Sequence, residues 1–439
     1  MAAGWFPQAK LDDSSITVAR AAPVLHRSSR SPRRDHHSAG QESVCNHVPV
    51  FCLQPPDRCP GVLRPHFAAD GALLRIRIPG GHISRRGIAT LSQITAKFGD
   101  GNLHLTSRGN VQIRGIPVTD DQQIPNELPH IVAASGFLPS STHDRVRNIV
   151  ASPLSGIIGG RMDVRPLVSA LDRALCTDPR LAELPGRFLF GLDDGRGDLA
   201  GMPIDLGIYA IDERSAQIRV GTFSGPVISS TEIVDIILDL AHRFLDISEG
   251  KWNVVQLPKK GRELLNNVEF SNFLRHTKSG DRWSVERFRR NILHGIITIS
   301  TAESAVAGSV PLGVLTPPMQ RALLDAAEHS DSTIILTPWR GVIVTPVPTD
   351  QASNVAALLQ EAGLVLDPAS PWSRISACIG SPGCARSRGD TRSQAVKLVR
   401  RLSSPDTSDD GSPYHIAGCE RACGAPHTPH TLVLLGSST

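Results

Sequence analysis

Residues 72–78 read ALLRIRI, and their apolar and polar positions alternate. In an extended chain Leu74, Ile76 and Ile78 point one way and Arg75 and Arg77 the other. The pattern predicts a half-buried strand closed by the turn-forming Pro79-Gly80-Gly81. A helical period follows over 88–98, and alternation returns in LHLTSRGNVQIRGI, residues 103–116. There Leu103, Leu105, Val111 and Ile113 share an apolar face; Thr106, Arg108, Asn110, Gln112 and Arg114 share a polar one. Strand, helix and strand with an arginine-bearing open face predict a small α+β unit.

The same order recurs over residues 310–347, where LTPWRGVIV matches the earlier LTSRGNVQI. The match sets Arg340-Gly341 against Arg108-Gly109, about 230 residues apart. One repeat at so long a period predicts duplication into two pseudo-symmetric halves rather than a solenoid. Two such units meeting across a pseudo-dyad would bring both arginines to one cavity. An α/β segment is expected after each unit. The first starts with DRVRNIVASPLSG (144–156), continues through GRFLFGLDDG (186–195) and ends in a helix with Ile233, Ile237, Leu240 and Phe244 on one face. The second starts with ACIGSPGC (377–384), passes through a helix with Val396, Val399 and Leu402 inward, and reaches HIAGCERACGAPH (415–427).

The expected divisions are therefore 1–57, a disordered basic tail; 58–130 and 301–365, the repeated units; 131–300 and 366–439, the α/β domains. The 439-residue chain is 40% apolar and 20% charged, as globular proteins are. A net charge of +4, two tyrosines and no basic run in the folded part argue against nucleic acid as a partner. No window approaches the roughly 18 apolar residues of a membrane span, and no apolar signal core opens the chain, so a cytoplasmic location is expected.

In such a compartment eight cysteines read as metal ligands or buried thiols. Cys176 is expected to be an ordinary buried residue, and Cys45, Cys52 and Cys59 fall mostly in the tail. Cys378 and Cys384 form C-x5-C; Cys419 and Cys423 form C-x3-C. Four cysteines in two pairs match the ligand count of an iron–sulfur cluster. Gly380, Pro382, Gly383, Gly418 and Gly424 supply the tight bends such convergence needs. Structural zinc, a disulfide and unligated thiols are the rival readings; C-x5-C suits zinc knuckles poorly. His415, His427 and His430 lie close by and read as surface histidines.

Arg77, Arg108, Arg114, Arg147, Arg187 and Arg340 each lie on or beside a strand or turn. The guanidinium fork suits carboxylates and phosphates. Several arginines converging over a redox cluster would suit a polycarboxylated ligand such as a tetrapyrrole.

The two cysteine pairs, LRIRIPGG, RNIVASPLSG and the repeated Thr…Arg-Gly unit resemble the sirohaem-dependent sulfite and nitrite reductases. LTSRGNVQIRGI, RVRNIVASPLSG and LPGRFLFGLDDGRGD are more similar to the precorrin-3B synthase family within that superfamily. The resemblance covers about residues 58–439. It implies duplicated ferredoxin-like half-domains plus two α/β domains of the sulfite/nitrite reductase type, related by a pseudo-two-fold. It implies an O2-dependent monooxygenase that hydroxylates precorrin-3A at C20 and closes a γ-lactone. Cys378, Cys384, Cys419 and Cys423 would hold a [4Fe–4S] cluster. A mononuclear non-haem iron, an electron-donor protein and NADH as indirect reductant are implied as well, and sirohaem only for a reductase. The reductases' small-anion positions fall at Arg77, Arg147, Arg187 and Leu189. A reductase would carry a lysine at Leu189 and Arg-Gln at Arg108-Gly109, so both departures favour the synthase. Thr439 follows Cys423 by 16 positions, so the last α/β domain is expected to be abbreviated.

Overall fold

The computed structural model describes residues 16–21, 57, 59–266, 293–328, 332–404, 411–426 and 429–436. Strand β1 (Ile16–Ala21) is followed by the first repeated unit: β2 (His66–Ala68), β3 (Gly71–Ile76), β4 (His82–Ser84), α1 (Arg85–Phe98), β5 (Leu103–Leu105), β6 (Val111–Ile116) and α2 (Glu127–Ala134). The first α/β segment holds β7 (Ile149–Ala151), α3 (Arg165–Thr177), β8 (Phe190–Asp193), β9 (Leu206–Ala210), β10 (Ser215–Val220), β11 (Phe223–Ser229) and α4 (Ile233–Ile247). The second unit comprises β12 (Gly295–Thr298), β13 (Glu303–Ser309), β14 (Val314–Leu315), α5 (Pro317–Ala326), β15 (Thr333–Leu336), β16 (Gly341–Pro348) and α6 (Ala352–Glu361). The last segment has β17 (Ile375–Ala377), α7 (Thr391–Leu402), β18 (Tyr414–Ala417) and β19 (His430–Leu435).

Each repeated unit lends its short strand to the other's sheet. β4 pairs with β15, Ile83 opposite Ile334, at the edge of β12-β13-β16-β15-β4. β14 pairs with β5, Val314 opposite His104, at the edge of β14-β5-β6-β3-β2. A tight 3-10 turn precedes each lent strand, Pro79–Gly81 in one unit and Pro311–Gly313 in the other. At Gly81 (φ +78°) an added Cβ would collide with the Leu336 carbonyl, so the exchange needs a bare backbone there. The two units consequently share one core. Ile88, Leu91 and Ile94 of α1 lie in it with Met319, Ala322 and Leu323 of α5, sandwiched by Leu74, Ile76, Ile334 and Val344. Each fully buried Leu or Ile adds roughly 1.5–3 kcal/mol of burial free energy. Ser84 starts α1 by accepting from the Gly87 N–H at 3.0 Å. The duplicated α+β architecture and its pseudo-two-fold are thus physical.

The α/β segments each centre on parallel strands, β7-β8-β9 and β17-β18-β19. In α4 the expected stripe of Ile233, Ile237, Leu240 and Phe244 is buried. In α7 the stripe is turned: Thr391, Ala395 and Leu398 are buried, with Val399 and Leu402 at its edge and Val396 outside it. Asp390 caps the start of α7, accepting from the Arg392 and Ser393 N–H groups.

The tail reading also changes. Ile16–Ala21 pairs antiparallel with β19 along its length, completing the sheet β1-β19-β18-β17. Its sequence ITVARA is rich in β-branched residues, which the charged run that follows conceals. The remainder of 1–56, with Cys45 and Cys52, lies outside the described residues. No described helix is long and apolar enough to cross a membrane.

Candidate functional site

Two matching turns face one cleft. In the first, the Thr106 N–H donates to the Asn110 carbonyl (2.9 Å), the Gly109 N–H to the Thr106 carbonyl (3.3 Å), and the Asn110 N–H to Thr106 Oγ1 (3.1 Å). In the second, Thr337 N–H donates to Gly341 (2.9 Å), Arg340 N–H to Thr337 (3.0 Å), and Gly341 N–H to Thr337 Oγ1 (2.9 Å). This frame corrects the expected equivalence by one residue. Arg108 corresponds to Trp339, and Arg340 corresponds to Gly109. Both Gly109 and Arg340 are left-handed, with φ of +66° and +62°. Symmetry thus gives one half a cation and the other an indole at the same place.

The cleft holds about 210 Å³ and is lined by Arg108, Trp339 and Arg340, by Leu189, Asp198 and Met202 from the first α/β segment, and by residues 372–376 and 424–426 from the last. It is smaller than the roughly 300–1,000 Å³ that encloses a drug-sized molecule. A large flat ligand would be gripped at an edge rather than swallowed.

The four cysteines sit at the ends of adjacent parallel strands. Cys378 follows β17 and Cys419 follows β18, with Ala377 opposite Ile416. Their loops therefore leave the sheet side by side. The Cys378 N–H extends the ladder to the Ile416 carbonyl (2.9 Å), and the Gly418 N–H donates to Cys378 Sγ (3.3 Å). Cys423 stands at the surface of its loop; partial burial and then Cys378 and Cys419 push its thiol up, with Arg421 opposing and Cys384 adding. No three His, Cys, Asp or Glu side chains among the described residues are arranged to hold a single metal ion. Tetrahedral zinc with Zn–S near 2.3 Å needs its sulfurs about 3.8 Å apart. A four-iron cluster places an iron under each thiolate and spaces the sulfurs more widely. The four-thiol donor set and the Gly418 N–H turned to Cys378 Sγ fit an iron–sulfur cluster.

The histidine expectation fails at His415. It is fully buried and bonded through Nδ1 to Ser376 Oγ (2.9 Å). Burial, with Arg340 and His430 nearby, pushes it down to about 3. His430 is buried against it edge to face, ring centroids 6.1 Å apart, and His427 lies outside the described residues.

The six arginines divide. Arg108 and Arg340 line the cleft. Arg187 is exposed and stacks over Trp252, 5.0 Å from the ring centre. Arg77 is 2% exposed; it donates to the carbonyls of Arg145 (2.9 Å) and Pro60 (3.4 Å), and its buried Nη1 has no partner among the described residues. Burial, then Arg75 and Arg108, bring Arg77 down to about 9. Arg114 and Arg147 are not brought to the cleft. Arg114 binds Asp70 through Nε (3.0 Å) and Nη2 (2.9 Å), and Arg147 binds Asp172 likewise (2.7 and 2.8 Å). A buried cation without such a carboxylate is costly, so these forks are spent on structure. The face carrying Arg75 and Arg77 is covered rather than open. Sequence reasoning left Arg75 out of the site, although its alternation with Arg77 marks it. Arg75 donates to Cys59 Sγ (3.5 Å) and, with the Gln112 amide oriented to suit, to that amide oxygen (2.6 and 3.1 Å). Cys59 is buried, and Cys176, half-buried on α3, has its thiol raised by burial.

Asp198 is a second omission. It lines the cleft, is 9% exposed, and accepts from Ser152 Oγ at 2.7 Å. Burial, then Asp193, raises it to about 7, with Asp194 adding and Arg196 opposing. A carboxyl raised above its unfolded value near 3.8 contributes stability at low pH and loses it as pH climbs from about 4 to about 7. On its own that is on the order of 4 kcal/mol. Asp198→Asn is expected to be less stable than wild type at pH 5 and to close or reverse the gap at pH 8, measured by urea denaturation. An unchanged gap at the two pH values would show the carboxyl ionised throughout.

Comparison with known proteins agrees with the duplicated fold. The Nitrite/Sulfite reductase ferredoxin-like half domain matches residues 66–128 and 300–362, one match in each repeated unit. A precorrin-3B synthase from Sinorhizobium sp is 23% identical over 86% of this chain and 80% of its own length. A ferredoxin–nitrite reductase from Synechococcus elongatus is 24% identical over 81% of this chain and 74% of its own. The NirA protein of Mycobacterium tuberculosis shares the fold, with a TM-score of 0.62 and 20% identity, covering 80% of this chain and 69% of that one. The chain thus resembles precorrin-3B synthase and the ferredoxin-dependent reductases in sequence, and its fold is of the nitrite/sulfite reductase type.

Proposed function

We propose that this chain carries out the precorrin-3B synthase reaction, inserting one oxygen of O2 at C20 of precorrin-3A with γ-lactone formation. The second oxygen leaves as water. Two electrons come from NADH by way of an electron-donor protein. What carries this reading, against a sirohaem nitrite or sulfite reductase, is the state of the small-anion positions. Arg147 is locked to Asp172, Arg77 is held by two backbone carbonyls, and Leu189 is fully buried among Val150, Leu199, Met202 and Ile204. A small anion in a dry pocket needs several free cations, and these positions offer few. The wide sequence similarity to a precorrin-3B synthase supports the same choice.

On this reading Arg108 and Arg340 take ring carboxylates and Trp339 lies against the macrocycle face. Arg75, Arg77 and Arg187 raise the positive potential beside them. Asp198 offers a carboxyl that can hold or release a proton near neutrality. Cys378, Cys384, Cys419 and Cys423 would hold a [4Fe–4S] cluster, which supplies electrons one at a time. The described residues show no three-ligand group for a mononuclear iron, and no step is assigned to one. A location in the cytoplasm goes with this reading.

The test is aerobic incubation with precorrin-3A and a reductant. A product heavier by one oxygen atom, labelled from 18O2, is expected. A sirohaem absorption band with nitrite or sulfite turnover would replace this reading with the reductase one. Zinc without iron or sulfide would remove any redox role.

A further inference from the structure

Arg340 holds a costly backbone conformation that its symmetry mate avoids. The equivalent residue in the first half is Gly109, to which a left-handed φ costs nothing. An arginine there is strained by about 1–3 kcal/mol. Strain of this kind persists where the side chain is needed. The Arg340 stem lies across Gly313, which has no room for a Cβ beside it, and Nη2 donates to the Gly424 carbonyl at 3.2 Å. Gly424 follows Cys423 directly. One fork therefore faces the cleft and touches the C-x3-C loop at once.

The first half has a counterpart contact. Arg114 donates to the carbonyl of Gly383, next to Cys384, at 3.2 Å. The two contacts differ in one respect. Arg114 is also bound by both oxygens of Asp70, whereas no carboxylate pairs with Arg340 among the described residues. Arg114 is a fixed tie. Arg340 is held by a neutral carbonyl alone, and a carboxylate is roughly twice as strong an acceptor.

We propose that Arg340 is a positioning residue that couples the cleft to the Cys419–Cys423 loop: a macrocycle carboxylate draws its fork from the Gly424 carbonyl and so changes the setting of the cysteine loop. This deepens the proposed function and rests on it for the identity of the ligand. By reciprocity, the state of the cysteine loop tunes the grip on the macrocycle by the same factor.

The experiment uses the full chain with its cluster loaded, in wild type, Arg340→Gly and Arg108→Ala. Precorrin-3A is added under nitrogen. Binding is read by absorbance, and the reduced cluster by electron paramagnetic resonance. Wild type is expected to shift its cluster spectrum on saturation. Arg108→Ala should bind less tightly but still shift at saturation. Arg340→Gly should fold at least as well, bind about tenfold less tightly, and show no shift. A shift surviving in Arg340→Gly, or lost equally in Arg108→Ala, would overturn the coupling. With no macrocycle present, a chelator should strip iron from Arg340→Gly about tenfold faster than from wild type, as loss of one charge-assisted hydrogen bond implies. Equal rates would overturn the contact to the loop. Failure of wild type to bind precorrin-3A would instead count against the proposed function, leaving the chelator result to judge Arg340.

Discussion

Cys419→Ser is expected to give a nearly colourless protein with most of its iron and acid-labile sulfide gone. Serine at this place keeps the size of the side chain but loses the soft thiolate that iron–sulfur clusters require. The Cys419–Cys423 loop is tied down by the Arg388 N–H on the Gly418 carbonyl (2.9 Å) and by Arg340 on the Gly424 carbonyl (3.2 Å), but Cys423 itself stands at the surface. Binding energy at such a site is also folding energy, so thermal stability of the last segment should fall with the iron. Cys176→Ser is the control. It lies on α3, within the first α/β segment, and should keep full iron and colour. The measurement is iron and sulfide per chain with the visible spectrum. A brown Cys419→Ser protein with wild-type iron would show that the four-cysteine assignment is wrong.

The features legible in the sequence were those set by local periodicity. Alternation in ALLRIRI and the stripe of α4 both stand in the structure, and the repeat itself was visible in two similar strings. The features set by distant partners were not. Nothing near β4 in the chain says that it pairs with β15, some 250 residues later. The equivalence of the turns was misplaced because matching letters aligned Arg-Gly with Arg-Gly. The fold aligns the threonine hydroxyls with the N–H four residues on. The expected open arginine face is closed by pieces of other elements, the Arg145 and Pro60 carbonyls over Arg77 among them. Arg147 looked like a ligand-binding cation because Asp172, its partner, stands 25 positions away on a helix. His415 looked exposed because its loop is glycine-rich, yet β18 carries it into the sheet interior beside His430.

Arg114→Met is expected to destabilise the protein by about 3 kcal/mol and to speed loss of iron, although no atom of Arg114 need touch a ligand. The reasoning is one of position. Arg114 is 6% exposed on β6, and its removal strands Asp70 in a largely dry place. It also removes the contact to the Gly383 carbonyl, in the cysteine loop that ends at Cys384. Gly383 lies close against Asp70, where a Cβ would come within 3.0 Å of Oδ2, so the carboxylate, the fork and the loop form one packed group. Each half-domain thus reaches one cysteine loop through an arginine on a glycine carbonyl, Arg114 at the first pair and Arg340 at the second. Arg114→Lys separates charge from shape. A lysine keeps the cation but cannot bridge both Asp70 oxygens and the carbonyl together, so it should recover less than half of the lost stability. Urea denaturation and chelator-driven iron release read the two effects. If Arg114→Met unfolds more easily but keeps its iron as wild type does, the contact to Gly383 serves the fold alone and the loop is held from elsewhere.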